Sequence, residues 1–297
     1  MREMPILFNN HMWCDNGHEI SPSSKKPKFF TDYVLSLGLP CKVVNPCISL
    51  SKDDFYRAHD RKFVDDIFKC ELENGFGTKS PEVNKTLPWT SSSMFFACRF
   101  ATPEVPAISP TSGFHHSGYD FSMGFCTFNG LMIAALKCLT EYPKQYKKIA
   151  IIDCDAHDGN GTTDIINKLR LHDCIYHNTF GAKFHHRYKQ APYTTHEGEK
   201  YLKEFDKVRT DLIAFAPDLI IYQAGADVHI DDIYGGVLTT DRMIRRDISM
   251  FLIAKELKIP LAFNLAGGYQ VDENGSIQII LDLHANTVLA AKDIYSL

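Results

Sequence analysis

The chain has 297 residues, 44% of them hydrophobic, which is enough apolar material for one large core, and no compositional break marks a linker. Its 32 Lys and Arg nearly balance its 36 Asp and Glu, and a net charge of -4 excludes both the basic footprint of a nucleic-acid binder and an acidic tail. Nine scattered cysteines without C-x-x-C pairs argue against a disulfide framework or a thiolate metal site. With no apolar run long enough to span a membrane, a soluble cytoplasmic protein is expected.

In chain order, residues 6–8 predict a first strand, the run Lys25, Lys26, Pro27, Lys28 a solvated loop, residues 31–37 a helix, and Gly75, Phe76, Gly77 a turn. From the middle of the chain the pattern sharpens. Residues 149–152 form an apolar run ending at Asp153, residues 219–222 another after Pro217, and residues 261–264 a third after Pro260. Between the last two, Met243, Ile244, Ile248, Phe251 and Leu252 repeat at helical spacing behind a candidate cap at Thr240; residues 277–294 carry a further helical pattern. Buried strands alternating with helices predict an α/β fold: one three-layer domain over residues 1–297, with a mostly parallel central sheet and helices on both faces. In such folds ligands gather at the carboxyl ends of the strands, so the residues after the three runs deserve inspection.

After the first run come Asp153, Cys154, Asp155, Ala156, His157, Asp158, Gly159, Asn160. On an extended segment side chains two apart share a face, so Asp155 and His157 can reach one ion with Asp153 behind them; a polar turn is the alternative. The second run leads to Asp227, a carboxylate at the same sheet edge, and two aspartates with one histidine suit zinc doing hydrolysis. Upstream, His115 and His116 stand side by side in a glycine-flanked loop, where imidazoles can carry protons or merely hydrogen-bond. The third run ends in Gly267, Gly268, Tyr269, a tight turn that can project a phenol toward a developing oxyanion.

Residues 109–116 (SPTSGFHH), 123–129 (MGFCTFN), 153–162 (DCDAHDGNGT), 223–227 (QAGAD) and 266–269 (AGGY), with NGFG at 74–77 and the segment 231–239, resemble in order the signatures of the arginase-deacetylase superfamily, in its histone deacetylase and acetylpolyamine amidohydrolase branch. The resemblance implies zinc on Asp155, His157 and Asp227, His116 as general base, His115 as its companion, Asp153 orienting His115 and Asn160 holding His116. It further implies Tyr269 as the oxyanion donor and a substrate tunnel lined by Gly124, Phe125, Gly267, Gly268 and, at the rim, Tyr234. A potassium ion beside the zinc loop, near Asp153 and Asn178, is implied as well. The substrate would be an acyl-lysine peptide or protein, or a small acylated amine such as an acetylpolyamine, with no nucleic acid or membrane partner; the oligomeric state is left open, a homo-oligomer included.

The chain departs from the pattern at Asp158, where a second histidine is common, at Ala266, which replaces a glycine, and at Tyr234, which replaces a leucine. Residues 181–198 abbreviate a loop that supplies the tunnel's second aromatic wall, leaving Phe184, His185, His186 and Tyr188 as candidates. A dinuclear manganese ureohydrolase would need an aspartate where Gly159 stands. A non-catalytic acyl-chain binder on the same fold is the reading from another class.

Overall fold

The computed structural model describes residues 2–15, 21–184 and 195–297. Seven strands, β1 (Met4–Leu7), β2 (Cys41–Val44), β3 (Ala107–Ser109), β4 (Ile149–Asp153), β5 (Ile175–Thr179), β6 (Leu219–Gly225) and β7 (Leu261–Ala266), form one sheet in the order β2-β1-β3-β7-β6-β4-β5. Every pairing is parallel, so the mostly parallel sheet expected from the sequence is wholly parallel among the described residues. The helices are α1 (Lys26–Ser36), α2 (Lys52–Phe55), α3 (Arg61–Phe68), α4 (Pro81–Phe100), α5 (Gly130–Glu141), α6 (Asn160–Leu169), α7 (Gly181–Phe184), α8 (Thr195–Phe215), α9 (Thr240–Glu256) and α10 (Gln278–Tyr295).

Side chains alternate across a strand, and the two faces of this sheet divide the core accordingly. Ala150, Ile152, Ile220, Tyr222, Leu261 and Phe263 join a cluster with Phe30 and Val34 of α1, Phe205 and Leu212 of α8, Phe251 of α9 and Val288 of α10. Ile149, Ile151, Leu219, Ile221 and Ala262 join a second with Val64 of α3, Phe95 of α4, Leu131 of α5 and Ile165 of α6. Central strands sandwiched in this way are apolar on both faces, which is why 149–152, 219–222 and 261–264 read as continuous runs. No described helix is long and apolar enough to cross a membrane. Cys41, Cys47, Cys70, Cys98, Cys126, Cys138, Cys154 and Cys174 are free thiols.

Element bounds differ from the sequence reading in instructive places. The first strand begins at Met4 and the first helix at Lys26, because Lys26, Pro27, Phe30, Thr31 and Val34 form one buried stripe at helical spacing. The Lys25–Lys28 segment is therefore no solvated loop: Lys26 is fully buried. Thr239, not Thr240, takes the extended N-cap position of α9.

The sheet also carries a polar row. The register places Asp153 beside Gln223 and Gln223 beside Asn264, all fully buried. Gln223 Nε2 donates to Asp153 Oδ1 at 3.1 Å and Asn264 Nδ2 to Gln223 Oε1 at 3.4 Å. Burying polar groups is tolerated when they bond to one another, and this row ends at the loop that follows β4.

Candidate active site

The loop after β4 folds over Asp155 through its own main chain. Asp155 N–H donates to Asp153 Oδ1 at 3.1 Å, and His157 N–H donates to Asp155 Oδ1 at 2.9 Å. From the end of β6, Asp227 accepts the Ala156 N–H on Oδ1 at 3.0 Å. The result is convergence of three side chains: His157 Nδ1 stands 3.1 Å from Asp155 Oδ1 and 2.9 Å from Asp227 Oδ2. One ligand atom from each lies within 4.8 Å of the others, and among the described residues this is the one such group of three or more histidine, cysteine or acidic side chains.

Electrostatics show what this cluster can hold. Both carboxylates are buried, and burial together with the neighbouring Asp155 charge pushes Asp227 above the usual carboxylate range. Burial pulls His157 down, but Asp155 and Asp227 outweigh it and raise the imidazole to about 11. Two buried negative charges demand a positive one between them, and two oxygens with one nitrogen form a donor set that a divalent cation such as zinc accepts. The residues present fit a metal.

Two histidines flank the cluster with opposite character. His115 donates from Nδ1 to Asp153 Oδ2 at 2.8 Å, and its Nε2 lies 3.7 Å from Asp155 Oδ1. Burial lowers its affinity for a proton, yet Asp153 and Asp155 overcome this and lift it to about 9. His116, with its ring centroid 4.0 Å from that of His115, donates from Nδ1 to Asn160 Oδ1 at 2.6 Å. Burial, then the adjacent His115, lower it to about 4. Such a pair holds one imidazole protonated and its neighbour neutral near pH 7.

The aromatic walls follow from a strained turn. Gly124 and Phe125 take φ of +56° and +63°, and a Cβ on Gly124 would lie 2.5 Å from His116 Cδ2, so only glycine lets this turn lie against the imidazole. Phe125 donates its N–H to Gly75 O at 2.9 Å, and its ring centroid lies 5.9 Å from Phe76 and 5.7 Å from Tyr269. Tyr234 meets Tyr269 edge to face at 4.9 Å. At Gly267, φ is +52° and a Cβ would fall 2.3 Å from Asp227 Cγ; Gly268 follows at φ +87°.

The histone deacetylase domain family matches residues 30–279 of this chain. The chain belongs to that family. Histone deacetylase 2 of Arabidopsis thaliana is 30% identical over 198 residues, which cover 63% of this chain and 49% of the relative. Histone deacetylase 5 of the same organism is 30% identical over 197 residues, covering 59% and 28%. This histone deacetylase family chain thus spans about half of the first relative and less than a third of the second. Among solved structures, an acetylpolyamine aminohydrolase from Burkholderia pseudomallei superposes with a TM-score of 0.75 at 15% identity, covering 98% of this chain and 99% of that one. The HDA15 HD domain does so with a TM-score of 0.75 at 18% identity, covering 100% and 90%. At these identities the likeness shows the fold alone.

In this histone deacetylase family chain, Asp153, Asp155, His157, Asp227 and His115 come together as one bonded cluster, the His116–Asn160 pair packs its imidazole against it, and Gly124, Phe125, Tyr234, Gly267, Gly268 and Tyr269 lie around it. Phe184 does not join the walls: it packs on Phe180 and Tyr201 in the core, while His185, His186 and Tyr188 lie outside the described residues. Phe76 supplies the ring beside Phe125 instead. Asn178 donates from Nδ2 to Tyr176 Oη at 3.1 Å and accepts from Lys183 Nζ on Oδ1 at 3.2 Å.

Sequence reasoning missed two charged residues here. Lys26 donates from Nζ to the main-chain oxygen of Gly267, and burial lowers it to about 8 against the upward pull of Asp227, Asp155 and Asp232. The signal was present in the Lys26, Phe30, Val34 spacing, which sets a lysine on an apolar helical stripe. Asp232, fully buried, accepts main-chain N–H groups from Tyr234 and Tyr269; nothing in its sequence neighbourhood marks the second of these.

Proposed function

We propose that this chain is a zinc-dependent deacylase that hydrolyses a linear acyl amide, either acetyl-lysine in a peptide or protein or a small acylated amine, with residues 1–297 acting as one catalytic domain. The observation that carries the reading is the convergence of two buried carboxylates and an imidazole beside the paired His115 and His116 rings. Membership of the histone deacetylase domain family supports the reaction class. The free thiols support a reducing compartment such as the cytoplasm.

Asp155, His157 and Asp227 would hold the zinc ion, which when bound would supply Lewis-acid polarisation of the acyl carbonyl and acidify a water. His116 is the general base: its Nδ1–H is committed to Asn160, so Nε2 is the nitrogen left to take the proton from the attacking water. The water oxygen bonds to the carbonyl carbon, the C–N bond breaks, and a histidine proton goes to the departing amine. His115, kept protonated by Asp153, stabilises negative charge in the cluster. Tyr269 donates its hydroxyl to the carbonyl oxygen as charge builds there, an interaction worth about 3 kcal/mol of barrier. Phe125 flanks an extended acyl chain between apolar walls and excludes water. A potassium ion beside the zinc loop, held near Asp153 and Asn178 by main-chain oxygens, belongs to the same proposal.

The test is a panel of acyl-lysine peptides and acylated polyamines offered to zinc-loaded and chelated protein. Hydrolysis of at least one member that chelation abolishes and zinc restores is the expected result. A zinc-loaded protein that binds acyl chains yet cleaves none would identify it as a binder.

A further inference from the structure

We propose that Asp232 is a positioning residue that fastens the rim tyrosine Tyr234 and the oxyanion donor Tyr269 into one unit, so that the aromatic ring at the tunnel mouth and the hydroxyl beside the metal cluster keep a fixed relation. The structural half of this inference rests on geometry alone; the kinetic half rests on the deacylase reading.

Asp232 uses both carboxylate oxygens. Oδ1 accepts the Tyr234 N–H at 3.0 Å, a local turn of the kind aspartates often make two residues ahead. Oδ2 accepts the Tyr269 N–H at 2.8 Å, from a residue 37 positions along the chain, and no local turn requires that bond. The two tyrosine rings then meet edge to face, centroids 4.9 Å apart and planes at 86°. One side chain therefore sets the backbone origin of both rings, and the rings buttress each other.

The segment it holds needs holding. β7 ends at Ala266, and Gly267 and Gly268 follow at φ of +52° and +87°, the backbone type with the most freedom to lose. Past those glycines, the Tyr269 N–H bonds to Asp232 rather than to the sheet. A second tie runs parallel: Gln270 Nε2 donates to His229 Nδ1 at 3.3 Å, while His229 Nε2 donates to Thr240 Oγ1 at 3.0 Å. Burial, then the neighbouring Asp227, push the Asp232 carboxyl up to about 7, so a carboxylate here is costly and the two amide donors offset that cost. A residue needed only to make the turn at Tyr234 could sit at the surface.

The experiment combines backbone amide exchange with a double-mutant cycle on zinc-loaded full-length protein. Asp232→Asn keeps the shape but turns an N–H donor against one of the two amides; Asp232→Ala, which removes both acceptors, serves where the asparagine variant does not fold. Exchange of the Tyr234 and Tyr269 amides is expected to accelerate about 100-fold or more while those of Ile221 and Phe263 stay as in the wild type. Unchanged protection at Tyr269, or a loss shared equally by the sheet, overturns the proposal. In turnover of an acetyl-lysine peptide, Asp232→Asn is expected to lower kcat about 30-fold with KM within about 3-fold, and to change kcat less than about 3-fold when Tyr269 is already phenylalanine. Equal losses in both backgrounds also overturn it. A wild-type protein inert toward every acyl amine defeats the deacylase reading, and the exchange data then decide the fastening on their own.

Discussion

The Nδ1 atom of His157 lies 2.9 Å from Oδ2 of Asp227, a residue 70 positions further along the chain. The two arrive at one point because β4 and β6 are adjacent parallel strands whose carboxyl ends stand level, Asp153 beside Gln223. Everything proposed for the chemistry depends on that adjacency, and it makes metal binding the first expectation. Zinc or cobalt is predicted to raise the melting temperature of the wild-type protein, with about 2.7 kcal/mol of stabilisation when the metal stands at 100 times its dissociation constant. Asp155→Ala is predicted to abolish the shift. A thermal-denaturation series with and without metal checks this; an equal shift in the variant would place the ion elsewhere.

Turnover should separate from metal binding at two positions. His116→Ala and Tyr269→Phe are each predicted to lower kcat by about 100-fold or more on whichever acyl amine proves active, while metal affinity stays within about 3-fold of the wild type. Steady-state kinetics paired with chelator competition reads both quantities. Loss of metal along with activity would make these residues part of the scaffold rather than of the chemistry.

Gly267→Ala tests how closely the turn after β7 presses on the ligand set. An added Cβ would meet Asp227 Cγ at 2.3 Å in a left-handed backbone conformation, so the carboxylate must move. Metal affinity is predicted to fall by about 10-fold or more, with a loss of stability of about 1–3 kcal/mol. Gly38→Ala is the control, since a Cβ at that left-handed position meets nothing within 4 Å and only backbone strain remains.

Acid should destabilise the fold through a buried histidine outside the metal cluster. His59 is buried, with Nδ1–H donating to Gly118 O at 2.8 Å and Nε2 accepting the Asn129 N–H at 2.9 Å. Burial lowers it to about 4 from the usual 6.5 despite its bond to Gly118. A folded-state value below the unfolded one means that the stability is present above pH 6.5 and is lost as the pH falls toward 4, because the unfolded chain takes up the proton first. The loss at pH 5 is about 2 kcal/mol. Urea denaturation at pH 7 and pH 5 should show this difference in the wild type and a smaller one in His59→Gln, which can keep both bonds without titrating.

The parallel sheet was readable because its central strands are apolar on both faces; Ile149 to Ile152 and Leu219 to Tyr222 leave little else to be. The cluster was readable because Asp155 and His157 share a short segment and Asp227 closes the equivalent strand. Short or mixed elements were not. β2 has two exposed positions in its four residues, β3 has only three residues, and α8 starts beside the undescribed segment 185–194. Lys26 misled because a lysine among lysines reads as solvent-facing, whereas its burial follows from the helical stripe it shares with Phe30 and Val34. Asp232 escaped notice because its partner Tyr269 comes from another strand end, and long-range bonds to main-chain N–H groups leave no pattern in a sequence.

Anomalous diffraction from zinc-soaked crystals tests the central claim most directly. A single strong peak about 2.0–2.2 Å from an Asp155 oxygen, a His157 nitrogen and an Asp227 oxygen is the predicted result. Full zinc occupancy at any other position, with these three side chains bonded only to one another, would contradict it.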